Sequence, residues 1–167
     1  MQVSKSLFVL CVFGLLALPL VGVASAQNLL PNGTFETGDL TDWLVFNNSP
    51  SATVTVETPG NGPSLPGMYH GFLNNQQGGL GLTLKGQTPA GSAGLGTVHY
   101  FLDLLIEEAA IGGLVFIQVF AEQENGGIVA QTGLLGPFLG PIGEWQVVQG
   151  SFEAPATTDY LTLQIDA

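Results

Sequence analysis

Arginine is absent from this chain, and its two lysines, Lys5 and Lys85, stand against 13 aspartates and glutamates. Binding to a phosphate backbone needs Lys and Arg to neutralise it, so nucleic acid is excluded as a partner. Docking on an anionic membrane surface is disfavoured for the same reason. Cysteine is nearly absent too. The single Cys11 lies in an N-terminal apolar run, so a chain without that run has no disulfide. Only 9% of residues are charged, so the surface must consist largely of Asn, Gln, Ser, Thr and Gly.

The N-terminus reads as a secretory signal peptide spanning residues 1–26. Lys5 gives a positive n-region, Leu7 to Val23 is apolar, and Ala24-Ser25-Ala26 is a small-x-small cleavage site. The run is short for a membrane span and is broken by Pro19. The expected mature chain is a single domain, residues 27–167, in a secreted, extracellular or periplasmic location, with no membrane attachment after cleavage. Its one lysine against 13 acidic side chains leaves a net charge of −12. That acidity suits divalent cations or a medium whose salt screens self-repulsion.

The rest of the chain predicts an all-β domain. Ala52, Val54 and Val56 alternate with polar neighbours, as do Leu80, Leu82 and Leu84, and Leu161, Leu163 and Ile165. Period-two alternation places one face of a strand on a core. Longer strands are expected at about 95–106, 114–123, 127–135 and 144–153. Pro59 and Pro63 keep the 58–67 segment out of any ladder, and residues 86–96 form a second Gly-rich loop. Helix is scarce, with one turn expected at 106–110. Eight or nine short strands in one domain favour a two-sheet antiparallel sandwich.

The block Asn28-Leu29-Leu30-Pro31-Asn32-Gly33-Thr34-Phe35-Glu36-Thr37-Gly38-Asp39-Leu40-Thr41-Asp42-Trp43 reads as a first strand and corner. Asn32-Gly33 is a turn dipeptide, and Phe35 and Trp43 are apolar anchors on either side of a polar loop. The block resembles the N-terminal signature of carbohydrate-binding modules with the galactose-binding-like jelly-roll fold. Gly143-Glu144-Trp145 through Phe152 resembles a later strand of the same modules. The resemblance implies that both tryptophans pack in the core. Trp145 and Phe152 are seven apart, so burying both requires a bulge, with Gly150 as its natural place. It also implies a further strand beyond Asp166-Ala167. Either the sequence is a fragment or the sandwich lacks its usual last strand. Finally, it implies a structural calcium held near Thr34, Glu36 and Asp39, with Asp166 as a substitute C-terminal ligand; solvated turn carboxylates are the other reading.

Catalytic signals are poor. No HExxH, GxSxG, P-loop or dinucleotide fingerprint occurs. Glu107 and Glu108 are adjacent, so on an extended strand they point to opposite faces and cannot flank one glycosidic bond. A non-enzyme is expected. The sequence suits non-catalytic binding of a polysaccharide or cell-surface glycan, and the alternative is an extracellular structural, matrix or adhesion protein without a glycan site. Sugar sites in sandwiches combine aromatic rings with a few polar groups. On strand 98–106, Val98, Tyr100, Leu102, Leu104 and Ile106 form a core face, and His99, Phe101 and Asp103 lie on the other. Strand 114–123 is apolar on both faces, so loops cover Phe116 and Phe120 or these rings form a binding patch with Gln118. If the two strands pair as a hairpin, His99, Phe101, Asp103, Phe116, Gln118 and Phe120 share one sugar-binding face. Tyr69 and His70, at a strand start beside the Pro-rich loop, are further candidates.

Overall fold

The computed structural model describes residues 28–58, 62–64, 67–75, 81–107 and 114–167. The expected signal peptide, most of the expected helical turn and parts of the 58–67 loop lie outside these residues. Among the described residues ten strands form: β1 (Trp43–Asn47), β2 (Thr53–Glu57), β3 (His70–Asn74), β4 (Leu82–Gln87), β5 (Gly96–Leu105), β6 (Val115–Glu122), β7 (Ile128–Gln131), β8 (Leu135–Phe138), β9 (Trp145–Ala154) and β10 (Tyr160–Asp166). There is no helix among the described residues. The fold is an antiparallel β-sandwich.

Its two layers differ in continuity. One is a six-stranded sheet in the order β1-β4-β10-β6-β7, with β8 also paired to β6. The other is split into two ribbons, β2–β3 and β5–β9. β10 is flanked on both sides, by β4 and β6. The core lies between the layers. Trp43, Leu84, Ile117 and Ile165 of the large sheet are buried, and Val54 and Leu73 from one ribbon and Leu102, Leu104 and Val148 from the other pack on them. A second cluster around Ala121, Ala154 and Leu161 takes in Val98 and Phe152. Alternation therefore sets the inward faces of β2, β4, β5 and β10 as the sequence predicts.

The N-terminal block differs from expectation. Leu29 and Leu30 form no strand, and Trp43 begins the first one. In between, the chain closes on itself through turns. Backbone hydrogen bonds run from Gly33 to Leu30, Phe35 to Asn32 and Gly38 to Phe35. The Asn32 side chain donates to the carbonyls of Asp39 and Thr41 at 3.1 and 2.9 Å. Its own carbonyl accepts from the Trp43 indole at 3.0 Å. The Phe35 and Trp43 rings stack at 4.9 Å. A Cβ on Gly71 of β3 would lie 2.6 Å from the Phe35 ring, so only glycine lets the corner close on that strand.

Three further expectations are corrected. The predicted hairpin of strands 98–106 and 114–123 does not form. β5 pairs with β9, and β6 pairs with β10, β7 and β8 in the other layer. Nor is there a bulge in β9: its register with β5 runs unbroken from Ala154 to Trp145. The seven-residue spacing therefore sends Phe152 inward and Trp145 outward, where it is 36% exposed. Gly150 serves another purpose. A Cβ there would lie 2.4 Å from the Tyr100 hydroxyl, so glycine makes room for the inward Tyr100 side chain. The expected strand at 127–135 is also two strands, β7 and β8, separated by Thr132–Leu134 with Gly133 at φ 76°.

Candidate functional site

The interruption in the split layer opens a cleft of about 1380 Å³. Every residue of β3 and every residue of β5 lines it, whichever face the side chain occupies. Both strands therefore border the cleft edgewise, and no hydrogen-bonded ladder joins them. Its floor is the inward face of the large sheet, with Leu84, Ile117, Leu163 and Ile165. The N-terminal corner contributes Leu30, Phe35 and Thr34 to the wall.

Five of the eight predicted sugar-binding residues line this cleft: Tyr69, His70, His99, Phe101 and Asp103. β3 carries His70 on its outward face opposite Glu57, since the inward positions of the ribbon are Val54 and Leu73. β5 carries His99 and Phe101 outward, opposite Ser151 and Gln149 of β9. Phe101 is half exposed. Trp145 also lines the cleft, opposite Leu105 on the same outward face. Sequence reasoning placed that ring in the core, although the parity of its spacing from Phe152 was the signal that it is not. Phe72, beside His70 on β3, was missed as well.

Asp103 has a different task from the one expected. Its carboxylate accepts the backbone N–H of Ser64 at 2.9 Å and the Ser64 hydroxyl at 2.7 Å. It ties the loop after β2 to β5, so its oxygens are engaged within the protein. Tyr69 is positioned from the other side. The Glu36 carboxylate accepts the N–H groups of Met68 and Tyr69 at 2.8 and 3.1 Å.

The remaining three predicted residues, Phe116, Gln118 and Phe120, lie elsewhere. They sit on the outward face of the large sheet, opposite Asp166, Gln164 and Thr162 of β10. Ser64, in the loop after β2, reaches Asp103 in the other layer. Phe120 is buried, with Thr162 and Gln131 as its cross-strand neighbours. Gln118 donates to the Gln131 carbonyl at 2.9 Å.

The residues read as calcium ligands shape the corner. Glu36 holds the two amides just described. Asp39 accepts from the Thr41 N–H at 2.9 Å and the Thr37 hydroxyl at 2.8 Å. Hydrogen bonds from Thr41 and then Thr37 hold its carboxyl below the usual carboxylate range. Asp166 accepts from Thr83 and Gln164 on the large sheet. No group of three or more His, Cys, Asp or Glu side chains gathers at one point among the described residues. Each of these carboxylates accepts hydrogen bonds from neighbouring groups of the protein.

No protein-family model and no curated protein matches this chain. Among solved structures it is similar to the enzymatically active domain of tailspike protein 4 of bacteriophage CBA120. The TM-score is 0.56, with 12% identity over 83% of this chain and 19% of that one. It is also similar to the CBM22-1–GH10 modules of Clostridium thermocellum endo-1,4-β-D-xylanase 10B in complex with xylohexaose. There the TM-score is 0.48, with 15% identity over 80% of this chain and 24% of that one. The chain thus spans about a fifth to a quarter of the length of these solved chains. At such identity the first likeness concerns the sandwich fold alone.

Proposed function

We propose that this chain is a secreted, non-catalytic carbohydrate-binding domain and that the cleft between β3 and β5 takes the glycan. The observation that supports this most strongly is that Tyr69, His70, His99, Phe101 and Trp145 all line one cleft. Phe101 and Trp145 turn rings to solvent, and such rings stack on the apolar faces of sugars. On the same ribbon face, Gln149 opposite Phe101 and His99 two residues along β5 carry donors and acceptors for hydroxyls. The cleft exceeds the size of a site for one small ligand, which suits an oligosaccharide. The resemblance of the N-terminal block to carbohydrate-binding modules points the same way.

A glycan-array screen of the secreted protein tests this reading, with hits confirmed by titration against Phe101→Ala. Binding that depends on Phe101 is the expected result. No binding to any glycan would favour the structural, matrix or adhesion role, in which the exposed rings meet protein instead.

A further inference from the structure

The outward face of the six-stranded sheet holds the predicted residues that the cleft does not take up, and it also holds Lys85. We propose that this face is a second carbohydrate site, selective for a sugar residue bearing a single anionic group, carboxylate or sulfate, with Lys85 as the group that binds the anion. Lys85 is the only lysine or arginine in residues 27–167. It sits in β4, an interior strand, with Leu44 of β1 and Gln164 of β10 as its cross-strand neighbours. It forms no ion pair among the described residues.

The carboxylates nearby are already satisfied without it. Asp166, opposite Thr83 in the next row, accepts the Thr83 hydroxyl at 2.6 Å and the Gln164 amide at 2.9 Å. Glu122, further along the face, is buried and accepts from the Thr162 hydroxyl. Thr162 in turn accepts from Gln87 at 3.2 Å. The acids of this face are thus held by neutral donors, which leaves the one cation available to an external anion. A charge-assisted hydrogen bond to such a group is roughly twice as strong as a neutral one.

The surroundings suit a sugar. Leu44 and Phe46 are half exposed on the β1 side and Phe116 lies on the β6 side, with Gln164, whose amide nitrogen is held by Asp166, between them. The composition also limits the ligand. Asp166 in the adjacent row and a net charge of −12 repel a densely charged polymer, whereas a mostly neutral chain with scattered anionic groups meets little repulsion beyond a Debye length of about 8–10 Å.

The test uses gum arabic, a largely neutral polysaccharide with scattered glucuronates, and the same material with its carboxyls reduced to alcohols. A sparsely sulfated agar forms a second arm that separates sulfate from carboxylate. The full secreted protein should bind at least one anionic form about tenfold more tightly than its uncharged counterpart. Lys85→Gln should erase that preference with an unchanged melting temperature, Lys85→Arg should keep it, and Phe101→Ala should leave it intact. Three results would overturn the proposal: equal or absent binding of charged and uncharged forms by the wild type, a preference that survives in Lys85→Gln, or a preference lost in Phe101→Ala. The last would place all binding in the cleft.

Discussion

The two layers of this sandwich are built from similar alternating strands, yet one is continuous and the other is split. In the large sheet every interior strand is paired on both sides, and its outward face is laced by side-chain hydrogen bonds from Thr83 to Asp166, Gln87 to Thr162 and Gln118 to Gln131. In the split layer the β3 and β5 edges border a cleft, and Phe101, Trp145 and Val147 stand exposed. Backbone polar groups in a continuous sheet satisfy one another, so only side chains such as Lys85 are left there to meet a ligand. A strand edge that borders a cleft instead presents donors and acceptors beside apolar surface, which is what a polyhydroxylated ligand needs. The division of labour follows from connectivity more than from composition.

The contrast predicts how substitutions sort. Leu84 is fully buried on the continuous sheet, so Leu84→Ala should cost about 2–5 kcal/mol in urea unfolding. A small effect would mean that the large sheet is not the stabilising layer. Gly71→Ala tests the corner that joins the layers, because its Cβ would meet the Phe35 ring. A loss of about 1–3 kcal/mol is expected, and a neutral result would show that the ring has room to move. Asp39 makes a pH-dependent contribution. Its carboxyl is depressed below the ordinary value of 3.8, so its hydrogen bonds act in full above that pH and are lost as pH falls through the lower folded value. Melting temperature followed from pH 6 to pH 2 should therefore fall less steeply for Asp39→Asn than for the wild type. Trp145→Ala, on the exposed face of the split layer, should change stability by no more than about 0.5 kcal/mol, and a larger loss would return that ring to the core.

Much of this was legible in the sequence. Alternation identified β2, β4 and β10 and divided β5 correctly into a core face and an outward face, because side-chain direction in a strand is a local property. β1 was not recognised, and β3 only by its start at Tyr69-His70. Leu44, Val45 and Phe46 are consecutive apolar residues on an edge strand, so neither face reads as polar, and His70-Gly71-Phe72-Leu73-Asn74 is too short to show a period. The assumed β5–β6 hairpin failed for a different reason. Which strand pairs with which is fixed by non-local burial, and two strands adjacent in sequence here belong to different layers. That error joined two surfaces that lie on opposite sides of the molecule. The corner motif was recognised as a unit, but its turns and its clasp on β3 depend on positive φ at Asn32, Phe35 and Asp42, which only the structure reveals.

The assignment of a glycan site to the cleft of the split layer is tested most directly by Phe101→Ala, with glycan affinity and melting temperature measured on the same preparation. Phe101 is half exposed at the mouth of the cleft and packs in neither core cluster. The expected result is at least about a tenfold loss of affinity for the cleft ligand with a melting temperature within about 1 °C of the wild type. Unchanged affinity, or a large drop in melting temperature, would contradict the account.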